Sequence, residues 1–474
     1  MSFDEAVTAP SQKERFNTGK MLGEILLMVF PSIIEYSFQT LVNYADLIMV
    51  GRLGIEASAT VGITNEVTFL MKAGVNALGV GVLAYVAKEY GAGNKDKLSL
   101  AAYKAYALAL VVGIATTLIP IAISPFLPGF MGADEAIRKP ASMYFAICAS
   151  SGVFFSFNVV AGSIRKAAKD MKTPLLVNGL VNIINVVLNY FLIFPSRSDS
   201  LLGREFTLYR ADLGVQGAAI GTAISTAVGG ILMLIANEKH KETAARPLLG
   251  TDLTPFREEG KSISRKYILV GLPAFLTSVV TSFGRVIFTS MIVPLGTTIY
   301  AAHTIAFTAE SAFYMPAVGM SAAVASLSGN VRGEGNIKKL NRQTNMVCGL
   351  MTLIMLFATV ILLTCAGGII DLFTDDPFVL ELAPKLLHIV AINEPLFGIS
   401  VVMQNVFNGI GKTKPPLYIS LFTQWAIRVL GAYIFVFRLG YGVKAAWFCM
   451  IADNIVRAIL LYVYYYVFND KLLD

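Results

Sequence analysis

Charge is scarce in this sequence. Of 474 residues only 15% are Asp, Glu, Lys or Arg, while 55% are hydrophobic and the mean hydropathy is +0.65. A soluble globular chain is excluded, because one aqueous core could not hide so much apolar surface. Cysteine is nearly as rare: Cys148, Cys348, Cys365 and Cys449 lie scattered in apolar stretches without CxxC spacing, so no disulfide framework is implied. Of the three histidines, His240 lies in the charged stretch between the halves, and His303 and His388 have no nearby acid and Ser or Cys partner arranged for nucleophilic work, which argues against an enzyme. Gly411-Lys412-Thr413 looks like the end of a phosphate loop, but Val406 stands where its first Gly is needed. No cofactor is implied. The polar first 20 residues offer no short apolar core followed by a small-residue cleavage site, so a cleaved signal peptide is not expected.

What the chain has instead is apolar length. Stretches of the roughly 20 residues needed to cross a hydrocarbon layer of about 30 Å recur twelve times: 22–50, 57–87, 98–123, 140–162, 174–194, 213–236, 267–293, 299–328, 341–368, 384–408, 416–437 and 441–468. The expected fold class is an all-α, polytopic membrane protein of twelve transmembrane helices. Most of the 38 Lys and Arg residues fall in segments that are cytoplasmic if the N-terminus is, which places both termini in the cytoplasm of a plasma (inner) membrane protein. The net charge of +7 is then accounted for by anionic lipid headgroups, without a nucleic-acid partner.

The chain also repeats itself at a constant offset of 242, as from Pro31 to Pro273. Leu53-Gly54 recurs as Leu295-Gly296, and Gly91, Gly93, Asn94, Lys97 and Leu98 recur as Gly333, Gly335, Asn336, Lys339 and Leu340. Lys172, Pro174 and Leu175 meet Lys414, Pro416 and Leu417. Each half holds an even number of spans, so the halves enter from the same side and form two six-helix lobes related by a pseudo-two-fold axis along the membrane normal, an arrangement of transporters. The expected organisation is an N-terminal lobe over 1–236, a charged cytoplasmic linker over 237–266 and a C-terminal lobe over 267–474. Residues 194–212 read as an extra external loop.

Polar side chains inside a bilayer must face the bundle interior or a wet cavity, so their angular placement is informative. In the first helix Glu35, Gln39 and Asp46 share one face, with Asn43 beside it: at about 100° per residue the step from Glu35 to Asp46 returns to within roughly 20°. The fifth helix carries Asn178, Asn182, Asn185 and Asn189 on one narrow stripe. A carboxylate facing amide oxygens suits a proton or a small hard cation that must be released again; amides bonding neighbouring helices are the plainer alternative. Asp46 maps to Phe288, Asn185 to Ile427 and Asn189 to Gly431, so the coupling site is expected in the first half alone. The second half keeps Arg285, Glu310, Arg428, Asp453 and Arg457, for which internal ion pairs are expected. Pro31 removes a backbone hydrogen bond and permits a bend in helix one.

The segment from Pro31 to Gly62, with Asn43-Tyr-Ala-Asp-Leu-Ile-Met-Val-Gly-Arg-Leu-Gly54, resembles the first helix and turn of the MATE (multidrug and toxic compound extrusion) transporters. Gly91-Ala-Gly93, Leu295-Gly296 before Ala301-Ala302-His303, and Gly217-Ala218-Ala219 extend the likeness over nearly the whole chain. The resemblance implies a V of two lobes and proton- or sodium-coupled export of mostly cationic, amphipathic compounds, by a monomer in contact with membrane lipids and a small organic substrate. It places the cation site on Asp46, Asn185, Asn189 and Thr222, with no metal beyond a sodium ion there. Two departures stand out. Many members have Asp where Asn189 stands, and the NorM-like branch has Glu where Thr281 stands, which argues against a C-lobe sodium site. The alternative is a lipid-linked oligosaccharide or peptidoglycan-precursor flippase, for which Lys72, Arg285, Arg428 and Arg457 would gather pyrophosphate.

Overall fold

In the computed structural model, residues 17–201, 204–240, 242–245 and 257–472 are described. The first lobe comprises α1 (Thr18–Gly51), α2 (Ile55–Gly91), α3 (Lys95–Ile123), a single turn α4 (Leu127–Phe130), α5 (Glu135–Ser150), α6 (Gly152–Ala167), α7 (Lys172–Ile193) and α8 (Gly214–Glu238). The second comprises α9 (Arg257–Ile292), α10 (Thr297–Gly319), α11 (Ser321–Glu334), α12 (Ile337–Asp371), α13 (Pro377–Ala391), α14 (Glu394–Gly409), α15 (Lys414–Phe422), α16 (Leu430–Ala432) and α17 (Gly442–Val467). Backbone N–H and C=O groups have no water to bond in hydrocarbon, and these apolar sequences satisfy them within helices. Among the described residues ten helical segments are long and apolar enough to span, and the bent pairs α5–α6 (43°) and α13–α14 (53°) bring the number to twelve.

The repeat governs where helices turn and break. Gly54 and Gly296, one offset apart, turn the chain out of the first span of each lobe with φ of 114° and 120°; Gly93 and Gly335 do the same after the second, at 72° and 69°. Side chains other than glycine avoid these angles. The breaks that bend α5–α6 and α13–α14 fall at Ser151 and at Ile392 and Asn393, again one offset apart. Asn336 caps α12 by accepting from Lys339 N at 2.9 Å, satisfying one of the orphan donors of a helix start.

The lobes meet at the end where α1 begins and α2 finishes. There α2 lies against α9 and α11, and α1 against α10 and α11. A Cβ on Gly91 would collide with the Asn330 carbonyl, and one on Gly333 with the Lys88 carbonyl. The second contact is the first carried over by the repeat, so the interface is self-complementary, as a two-fold requires. A Cβ on Gly329 would meet that of Ala87, its own repeat equivalent, at 2.7 Å; this contact lies on the pseudo-axis. Asn330 fastens the junction by donating to Ala167 O at 2.9 Å.

Three features differ from the linear reading. Within residues 194–212, expected as an extra external loop, Arg197–Leu201 and Arg204–Leu208 pair as an antiparallel hairpin, a small exception in an all-α fold. The charged stretch from Arg257 to Lys266, expected as linker, is the first part of helix α9; residues 241 and 246–256 of that linker, like the first 16 residues, lie outside the described residues. The eleventh span is not a regular α-helix: Thr423–Val429 and Tyr433–Arg438 are wound as π-helix around Arg428.

Candidate ion and substrate site

Helix α7 is pinned beside α1 by the short turn that follows α6. In that turn Asp170 accepts from the backbone N–H of Lys172 (3.1 Å) and Thr173 (3.0 Å). Burial pushes the Asp170 carboxyl up, but the Thr173 hydroxyl and amide together with Arg165 outweigh it and hold it below the usual carboxylate range. So anchored, α7 carries its amide stripe along α1 and α8.

At the far end of the stripe the structure assembles the constellation expected in the first lobe. Asn189, fully buried, donates from Nδ2 to Asp46 Oδ1 at 2.8 Å. The Asn185 amide, with its nitrogen toward α1, donates to both Asp46 oxygens at 3.1 Å; its oxygen then faces the hydroxyls of Thr222 and Ser225, each at 3.3 Å. No Lys or Arg forms an ion pair with Asp46 among the described residues. The carboxylate is held by neutral amide donors, which stabilise its charge without cancelling it. Asn189 Oδ1 is buried without a hydrogen-bond partner, an acceptor left over beside the carboxylate. Gly221 makes the fit possible, since a Cβ there would collide with that oxygen.

Asp46 and Asn189 line a cavity of about 530 Å³ whose wall also includes Asn43, Thr222, Lys72 and, from the other lobe, Arg285. The volume lies within the range of drug-sized sites, about 300–1,000 Å³.

The rest of the stripe behaves differently. Glu35 is ion-paired with Lys166 at 2.9 Å and accepts from Asn178 Nδ2 at 2.6 Å. With Gln39, these groups line a second cavity of about 360 Å³ near the junction of the lobes. Gln39 reaches Asn43 only at 3.4 Å, and Asn182 is buried with Nδ2 unpartnered. One helical face thus feeds two chambers, which angular bookkeeping could not separate. Pro31 is buried and α1 runs through it without interruption.

In the second lobe Asp453 is clamped by Arg428 (2.7 Å) and Arg457 (2.7 Å), and Arg457 also reaches Thr423 and Gln424. Two of the expected ion-pair members do not join them. Glu310 is buried with Oε2 unpartnered. Arg285 stacks over Phe69 of the first lobe, 5.8 Å from its centroid, because that face of α9 turns toward the cleft and away from Asp453. Glu394, which the sequence reading passed over, is also buried with an unpartnered Oε2, within electrostatic reach of Glu310. A carboxylate inside an expected span was the signal that could have found it. Lys166 and Ser225 had no such signal, since a basic helix end and a serine in an apolar span are ordinary.

The comparisons agree with this architecture. The MatE family model matches residues 31–191 and again 273–434, two copies that start one repeat offset apart. A protein from Thermotoga maritima named "Probable multidrug resistance protein NorM" is 28% identical over 92% of this chain and 90% of its own. The "Uncharacterized transporter YisQ" of Bacillus subtilis is 24% identical over 92% of each chain. Among solved structures, a MATE protein in a bent conformation superposes with a TM-score of 0.85 at 26% identity, covering 95% of this chain and 96% of that one. An outward-facing multidrug resistance MATE family transporter does so at 0.85 and 25%, with the same coverage. These relatives do not favour the flippase alternative. With two family matches laid over two six-helix lobes, the chain belongs to the MatE family of multi-span membrane transporters.

Proposed function

We propose that this protein exports amphipathic organic compounds in exchange for a proton or sodium ion that binds at Asp46, by alternating access between its two lobes. The observation that carries the reading is the carboxylate held by Asn189 and Asn185 at the wall of the large cavity with no basic partner among the described residues. A carboxylate in that setting can take up a cation and give it back, whereas one locked to arginine cannot. Asp46, the free oxygen of Asn189 and the Thr222 hydroxyl supply hard donors that a sodium ion takes, and Asn185 joins them by turning its amide oxygen from Ser225 toward the ion; a proton needs Asp46 alone. Loading removes the charge that the two amides bond, and so changes how α1 packs on α7. We place Pro31 as the point at which α1 yields to that change, because its ring leaves a carbonyl of the preceding turn without its bond. The relatives named for multidrug resistance support efflux, and a solved relative in a bent conformation supports a change of shape.

In this reading both termini face the cytoplasm, the glycine-packed junction closes that side in the present state, and the single chain is the transport unit because it already contains both halves of the two-fold. A membrane potential contributes about 2.3 kcal/mol per charge per 100 mV. The test is transport in proteoliposomes under an imposed proton or sodium gradient, comparing wild type with Asp46→Asn. Loss of gradient-driven flux with the purified variant still monodisperse is expected; undiminished flux under either gradient removes Asp46 from the coupling.

A further inference from the structure

The described wall of the large cavity carries more positive than negative charge. Among the described residues its acidic wall residue is Asp46 alone, whereas Lys72 comes from α2 and Arg285 from α9. Both cations lie within apolar spans and are exposed to the cavity. Among the described residues neither has an ion-pair partner. If Lys72 were simply the counter-charge of Asp46, an ion pair would join them; the amides of Asn185 and Asn189 stand there instead. Each cation rests against a ring: Lys72 Nζ lies 5.7 Å from the centroid of Phe155, and Arg285 Cζ 5.8 Å from that of Phe69. A ring face holds a cation in place while leaving its N–H donors open. Unpaired cations at membrane depth are costly unless a site uses them.

From this wall we infer that the exported compounds carry an anionic group, a carboxylate, sulfonate or phosphate on an aromatic or aliphatic body, gripped between Lys72 and Arg285. The inference rests on the transport reading above and departs from the mostly cationic substrates that the family resemblance implies. Once Asp46 has taken up its cation, the fixed charges that face the cavity from the described residues, Lys72 and Arg285, are both positive. An organic cation would then meet repulsion strengthened by the low dielectric, and an anion attraction. Phe155 and Phe69 supply flat apolar surface beside the two charges for the rest of the molecule. Because Lys72 belongs to one lobe and Arg285 to the other, an anion that bridges them is held only while those faces approach. Separation of α9 from α2 weakens the grip, which ties release to the movement of the lobes.

Two fluorescent probes of opposite charge test this, fluorescein and ethidium. Binding to the purified full chain, read by anisotropy, is expected to favour fluorescein, and Lys72→Gln or Arg285→Gln to weaken it by about tenfold or more, the loss of roughly one charged contact. Lys72→Arg and Arg285→Lys keep the charge and should restore most of the affinity, which separates loss of a contact from misfolding. Fluorescein binding no tighter than ethidium, or unchanged in the Gln variants, overturns the proposal. Proteoliposomes separate it from the coupling: gradient-driven movement of ethidium without fluorescein refutes the substrate class and leaves coupling intact. Gradient-driven fluorescein transport by Asp46→Asn refutes the coupling and leaves the substrate class intact.

Discussion

The two lobes repeat one scaffold, yet Asp46 in the first and Asp453 in the second are held in opposite ways. In the first, Asp46 is bonded by amides that cannot neutralise it. In the second, Asp453 is enclosed by Arg428 and Arg457 and fully buried. Desolvating an ion pair consumes most of its Coulomb gain, but removing one partner leaves an uncompensated charge, so such a cluster resists change. The difference teaches that a carboxylate in a membrane bundle is not informative by itself. Its partners decide whether it can change charge or must keep it.

Substitution can break that contrast. The largest effect expected is on transport: Asp46→Asn should abolish gradient-driven flux, while its melting temperature in detergent stays near that of wild type. Asp453→Asn should do the reverse in kind, costing about 3–5 kcal/mol of stability by stranding two arginines, read as a marked fall in melting temperature. Equal melting shifts in the two variants would erase the distinction between the lobes. Next comes the junction. Gly333→Leu forces a side chain against the Lys88 carbonyl, an overpacking worth about 1–3 kcal/mol, and should widen the closed end; distances between spin labels on α2 and α9 would report it. The smallest effect is expected at Glu35. Its pair with Lys166 is partly exposed, with side chains 12% and 20% accessible, so Glu35→Gln should cost no more than about 1 kcal/mol and leave the coupling ion unchanged. A change of coupling ion in Glu35→Gln would merge the two chambers into one functional unit.

Much of the fold was legible because hydropathy and a constant offset are linear properties. Twelve spans, two lobes and the glycines at 54, 93, 296 and 335 needed no coordinates. The candidate site was legible in part. A period of 3.6 residues puts Glu35 and Asp46 on one face of α1, but a helix face 34 residues long passes several neighbours, and Glu35 meets Lys166 where Asp46 meets Asn189. Arg285 and Glu310 stand outside the ion pairs expected among the second-half charges for a related reason: pairing depends on which neighbour a face turns to, and α9 turns Arg285 toward Phe69 of the first lobe.

The sequence by itself determined that the chain lies in lipid, how many times it crosses, that it is doubled, and that acid and amides share the first lobe, since all of these follow from side-chain type and spacing. Only the tertiary structure decided which charges are clamped and which are open. That choice depends on which helices lie side by side, as α1 and α7 do at Asp46 and Asn189, 143 positions apart, and a few ångströms separate an ion pair from a free carboxylate.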